Sequence, residues 1–158
     1  MIARPLVGSL LDNTVGEWAD QVNNFSHDEK MALGTFYFSK LKYMKESEHD
    51  GDLGFYGLAE QGGYARSVLE LKHRQGAVAQ LRVLNIHLEP RLDVEQRDGM
   101  DIREAVGLVT RTLSEALRLT FEEAPSDELK VYARNDHMKG FLETVATHLQ
   151  VGTGEVPG

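Results

Sequence analysis

A chain of 158 residues is long enough for one ordinary domain and too short for two independent cores. With 41% hydrophobic and 27% charged residues it has the balance of a packed protein, and with no cysteine it excludes disulfides, thiolate nucleophiles and cysteine zinc sites together. Its 17 Lys and Arg against 25 Asp and Glu leave a formal charge of -8, a field that argues against nucleic acid and anionic membrane as partners and either attracts cationic amines or basic peptides or, as acidic surfaces more often do, serves only solubility.

The chain opens with a short apolar run broken by Gly8 and Ser9, too brief and interrupted for a signal peptide or a spanning helix, so a cytoplasmic location is expected. From Val15 to Lys45 the apolar residues Trp18, Val22, Phe25, Met31, Leu33, Phe36, Leu41 and Met44 recur mostly at three- and four-residue steps, which predicts two amphipathic helices. Thr14 with Glu17, and Ser26 with Glu29, have the spacing of capping boxes and mark the two starts. The aromatic load of this half, Trp18, Phe25, Phe36, Tyr37 and Phe38, belongs either to the core or to a surface on which two copies associate as a homodimer.

Glu46 to Gly54 is polar and reads as a loop, after which the character changes. Phe55 to Glu60, Tyr64 to Lys72 and Val78 to Leu88 are strand-like runs separated by Gln61-Gly62-Gly63 and Arg74-Gln75-Gly76, which predicts an antiparallel meander. Strict alternation in the third run would put Arg82, Leu84, Ile86 and Leu88 on one face and Leu81, Val83, Asn85, His87 and Glu89 on the other, with Pro90 ending the ladder. Ile102, Val106, Val109, Leu113, Ala116, Leu117 and Phe121 mark a long helix stopping before Pro125. A short strand is expected over Leu129 to Ala133 and a last helix on Met138, Phe141, Leu142, Val145, Ala146 and Leu149. Residues 1–150 thus form a single domain, and residues 151–158, with three glycines and a proline, a flexible tail.

The segment Leu129-Lys-Val-Tyr-Ala-Arg-Asn135, followed by Asp136-His-Met-Lys-Gly-Phe141-Leu-Glu, resembles the strand, asparagine and helix of the GCN5-related N-acetyltransferase (GNAT) superfamily, with Asn135 and Phe141 at matching spacing. Gln96-Arg-Asp-Gly99-Met-Asp101 is similar to that family's Gln/Arg-x-x-Gly-x-Gly/Ala loop, which comes after a strand and before a long helix. The resemblance covers Phe55 to Leu149, and the helical pair before it stands where the family has its first two helices. It implies an α/β (α+β) fold with a mixed, mostly antiparallel sheet flanked by helices. It also implies acetyl-CoA or another acyl-CoA as cofactor, bound at Gln96, Arg97, Gly99, Met100 and Asp101, where backbone amides at a helix start would meet the diphosphate. Two positions depart from the family's pattern. Asp101 puts a carboxylate where a small residue is usual, and Leu142 falls where many members carry a tyrosine that protonates the departing thiolate.

Within that reading the catalytic candidates are Glu89, His87 and Asn135. Glu89, at the end of a strand, would act as base directly or through water, the alternative being an ordinary strand-end glutamate. His87 would act instead with an imidazole suited to neutral pH, the alternative being a satisfied half-buried histidine. Tyr64 and Tyr132 are candidate proton donors that would equally serve as strand packing, and Arg91 and Arg97 are candidate phosphate partners or solvated surface residues. The six histidines show no metal-ligand spacing. Two functions follow: transfer of an acyl group from a CoA thioester to a small-molecule or peptide amine, or a catalytically inactive binding domain on the same scaffold.

Overall fold

The computed structural model describes residues 1–46, 54–60, 63–94, 96–97, 102–132, 139–140 and 143. In chain order these form β1 (Ile2–Pro5), α1 (Gly8–Asn23), α2 (His27–Glu46), β2 (Gly54–Ala59), β3 (Ala65–Arg74), β4 (Gln80–Leu88), a 3-10 turn at Pro90–Leu92, α3 (Ile102–Glu122) and β5 (Glu128–Val131). The five strands form one sheet in sequence order, antiparallel from β1 to β4 and parallel between β4 and β5. This is the mixed, mostly antiparallel sheet flanked by helices that the sequence implied. The expected loop at 46–54, the last helix from Met138, Asn135 and the 151–158 tail lie wholly or mostly outside the described residues.

Each face of the sheet buries a helical layer. On one side α3 sets Ala105, Leu108, Val109, Leu113, Ala116 and Leu119 against Leu58, Leu69, Leu71, Leu81, Val83, Ile86 and Leu88. On the other, Leu10, Leu11, Trp18, Leu41 and Met44 of the helical pair cover Phe55, Ala59, Ala65 and Val68. Trp18 is fully buried and donates its indole N–H to the Ala65 carbonyl at 2.8 Å, so the polar edge of the largest core residue is satisfied.

The strand β1 was not foreseen. Four residues containing an arginine and a proline give no alternating signal, and they are held by pairing with β2 from Ile2↔Ala59 to Pro5↔Tyr56. Pro5 is tolerated because the strand is at an edge. On the outer side, the Ala3 amide donates to Glu115 Oε1 at 2.8 Å and Arg118 Nη2 donates to the Ala3 carbonyl at 3.3 Å, so α3 side chains cap this border of the sheet.

Thr14 is not a helix cap. The apolar stripe extends back through Leu10 and Leu11, α1 begins at Gly8, and Thr14 is buried inside it. Its hydroxyl donates to the Leu10 carbonyl at 2.7 Å and accepts from the Ala65 amide at 2.9 Å, tying α1 to the start of β3. Ser26 does cap α2, accepting from the Glu29 amide at 3.2 Å. Of the aromatic set, Trp18 and Tyr37 are core, whereas Phe36 and Phe38 are exposed.

Alternation in β4 also needs correction. Glu70 pairs with Asn85 but Leu71 pairs with Val83, so Leu84 is one residue too many, and a β-bulge there reverses the facing of everything beyond it. Leu81 and Val83 therefore share the α3 side with Ile86 and Leu88. Asn85, His87 and Glu89 are turned to the side of α1 and α2, where their partners Glu70, Tyr43, Phe55 and Gln21 stand.

Candidate active site

The bulge brings His87, a sequence candidate, together with Asn85 and Glu70. On β3, Glu70 receives Asn85 Nδ2–H at 2.7 Å and the Tyr43 hydroxyl at 2.9 Å, and His87 Nε2 lies 3.7 Å from Glu70 Oε2. The His87 ring, opposed by burial and helped by the hydrogen bonds from Asn85 and Tyr43, holds the Glu70 carboxyl down to about 2. At 3.7 Å the imidazole is at ion-pair range and beyond hydrogen-bond length, so the two short bonds fix the carboxylate's position beside the ring. Phe55, whose ring centroid is 6.3 Å from that of His87, closes one side and stacks edge-on against Tyr43 at 5.6 Å. The arrangement is a nearly buried imidazole beside an anchored carboxylate, which is the pairing needed to take up and stabilise a proton.

Glu89 is built differently. It is fully buried, and its Oε1 accepts from Gln21 Nε2 at 2.8 Å and the Tyr64 hydroxyl at 2.9 Å, while Oε2 accepts from Arg66 Nε at 2.8 Å. Of about four acceptor positions on a carboxylate, three are occupied, and Arg91 Nε stands 3.4 Å from Oε1. Arg66 and Arg91 also reach Glu104 in the first turn of α3, at 3.1 and 3.6 Å. This network joins the end of β4 to the start of the helix. Burial, and then the bond to Glu89, raises the Tyr64 phenol above its ordinary range, so that proton stays with the network.

Of the expected cofactor loop, Gln96 is exposed and Arg97 half-buried, while Gly99, Met100 and Asp101 lie outside the described residues, as does the catalytic candidate Asn135. Arg97 grips Glu29 through Nε at 2.8 Å and Nη2 at 3.1 Å, donates from Nη1 to the Pro90 carbonyl at 3.1 Å and lies 4.0 Å above the Phe25 ring. Beside it the buried Tyr37 hydroxyl donates to Asp93 Oδ2 at 2.7 Å.

The parallel pairing of β5 with β4 ends at Val83↔Val131, one further bond running from the Tyr132 amide to the Val83 carbonyl. From Leu84 to Leu88, β4 has no ladder partner on that side among the described residues. Tyr132 thus stands at the end of the described pairing. Sequence reasoning missed Glu70; its distance from His87 depends on a bulge that no residue type announces. Among the described residues no group of three or more His, Asp or Glu side chains converges to hold a metal ion, and no helix is long and apolar enough to cross a membrane.

Fold and site together define a mixed α+β domain with a buried polar cluster on the strand before the crossover helix. No family model matches the chain, and no curated protein matches it. Among solved structures it is similar to the apo crystal structure of aminoglycoside antibiotic 6'-N-acetyltransferase AAC(6')-IG from Acinetobacter haemolyticus, with a TM-score of 0.49 and 16% sequence identity, covering 100% of this chain and 94% of that chain.

Proposed function

We propose that this protein is an N-acyltransferase that moves an acetyl or other acyl group from a CoA thioester to a primary amine. The observation that carries the reading is that, among the described residues, the β4–β5 pairing does not run past Val83 on the strand that bears His87. Backbone groups from Leu84 to Leu88 suit an extended, amide-bearing arm that adds to the sheet as a strand would, so this edge fits the pantetheine part of CoA. When bound, the thioester supplies an activated acyl carbon. His87 would take the proton that the amine loses as its nitrogen bonds to that carbon and the carbon–sulfur bond breaks, with the Glu70 carboxylate stabilising the imidazolium. Glu89 would hold Arg66, Arg91 and Tyr64 in place, and Tyr132 would return a proton to the departing thiolate. Gln96, Gly99, Met100 and Asp101 are proposed for the diphosphate, and Asn135 for a catalytic role. The net charge of -8 favours a cationic acceptor.

One observation favours the second reading, a binding domain without turnover: Arg97, the cation expected at the diphosphate, is already neutralised by Glu29. Calorimetric titration with acetyl-CoA, followed by thiol release with a panel of primary amines, separates the two. Binding with release supports the acyltransferase. Binding without release on any amine supports the binding domain, and no binding at millimolar acetyl-CoA overturns the cofactor assignment.

A further inference from the structure

The connection from β4 towards α3 is held at four points by the turn between α1 and α2 and by the helices that flank it. Gln21, near the end of α1, uses both ends of its amide: Nε2 donates to Glu89 Oε1 at 2.8 Å and Oε1 accepts from the Arg91 amide at 2.9 Å. Phe25, in the turn itself, supports the Arg97 guanidinium from below at 4.0 Å. Glu29, in the first turn of α2, takes two of that guanidinium's N–H groups, and the third nitrogen closes back on the Pro90 carbonyl of the same connection. Tyr37, two turns further along α2, holds Asp93, whose own carbonyl accepts from the Gln96 and Arg97 amides at 3.3 and 3.0 Å.

Nitrogens on all sides of Arg97 are thus committed to protein acceptors, and Phe25 packs on a face of its planar group. With three of its five N–H groups committed and its charge balanced by Glu29, the guanidinium has little left to offer an anion. We infer that Arg97 is a strut and not an anion ligand, and that the elbow between α1 and α2, acting through Glu29 and Tyr37, fixes the position of residues 89–94 and 96–97 and so prepares the cofactor's binding surface before it arrives. The inference rests on the acyl-CoA reading for its functional consequence and on the hydrogen bonds alone for its structural one. Glu29, Tyr37 and Arg97 are positioning residues in this scheme. Loss of the strut lowers the fraction of molecules in the binding-competent arrangement, and the apparent dissociation constant rises by the inverse of that fraction.

The sign of one substitution decides. If Arg97 were the anion's ligand, Glu29→Gln would release it from a competing carboxylate and tighten acetyl-CoA. If it is a strut, the same substitution weakens binding, by about tenfold for a connection left competent about a tenth of the time, with kcat at saturating acetyl-CoA unchanged. Tyr37→Phe is expected to weaken binding in the same direction. Tighter or unchanged binding in Glu29→Gln overturns the strut. A parent that binds no acetyl-CoA defeats the functional reading instead, and the strut is then judged by hydrogen exchange at the Gln96 and Arg97 amides. Faster exchange in Glu29→Gln than in the parent supports it, and identical exchange overturns it.

Discussion

Glu70 and Asn85 face each other directly across β3 and β4, and the hydrogen bond between them, 2.7 Å from Asn85 Nδ2 to Glu70 Oε2, sits immediately beside the bulge at Leu84. The carboxylate is thereby fixed where the strand changes facing, and His87, two residues on, comes within 3.7 Å of it. His87→Gln keeps a side chain of similar reach without a titrating ring. It is expected to lower kcat for amine acylation by about a hundredfold while leaving the acetyl-CoA dissociation constant within about twofold. Steady-state thiol release and calorimetry on the same preparation check both halves.

Glu70 also sets a pH dependence of stability. Its carboxyl lies at about 2 in the folded chain against 4.5 for an unperturbed glutamate, so the folded state binds this proton less readily than the unfolded state does. The stabilisation is fully present above pH 4.5 and is lost as pH falls from there towards 2. Denaturant titrations at pH 6 and pH 3 should show Glu70→Gln losing less stability on acidification than the parent, by about 2 kcal/mol. An equal loss would mean that His87 and the Asn85 and Tyr43 bonds do not hold the ionised form.

Tyr37→Phe removes a buried hydroxyl and leaves the Asp93 carboxylate without its 2.7 Å donor. The expected cost is about 2 kcal/mol, or a fall of about 6 °C in the melting temperature of a chain this size. Differential scanning calorimetry measures it directly. A change below about 0.5 kcal/mol would mean that Asp93 finds a replacement partner.

Gly57 is required by close approach. A Cβ built there would stand 2.7 Å from the Ala65 Cβ and 3.1 Å from a Leu6 methyl. Gly57→Ala is expected to destabilise by about 2 kcal/mol, and adding Ala65→Gly should recover part of that loss by removing the nearer atom. Urea midpoints of the single and double variants give the comparison.

Asp101 provides a last test, drawn from the sequence. A carboxylate at a position where the resemblance puts a small residue would oppose a diphosphate, so Asp101→Gly should tighten acetyl-CoA about fivefold, the equivalent of about 1 kcal/mol. Calorimetry on both forms decides it.

The parts of the fold that announce themselves do so through periodicity and turn chemistry. Gly63 and Gly76 separate the three meander strands, and the steps of three and four from Ile102 to Phe121 delimit α3 almost to the residue. The parts that stayed hidden depend on tertiary partners. Ile2 to Pro5 becomes a strand only because β2 lies alongside, and Thr14 looks like a cap until Ala65 is seen donating to it. Leu84 is one apolar residue in an apolar run, and nothing in its chemistry says that it is the extra one. The site inherits that uncertainty of register: Asn85, His87 and Glu89 could be read as a polar row, but Glu70 could be joined to them only after the pairing was known.

The capped border at Ala3 bears on how this protein behaves in a crowded solution. A sheet that ends in free amides and carbonyls recruits any extended segment that drifts past, and such recruitment is how folded molecules become seeds for fibrils. Here Glu115 and Arg118 consume the outward groups of Ala3, and Pro5 has no amide to give. A wandering strand would have to displace an ion pair to gain one rung of ladder and would find the next rung missing its donor, so that side of the molecule is closed to growth.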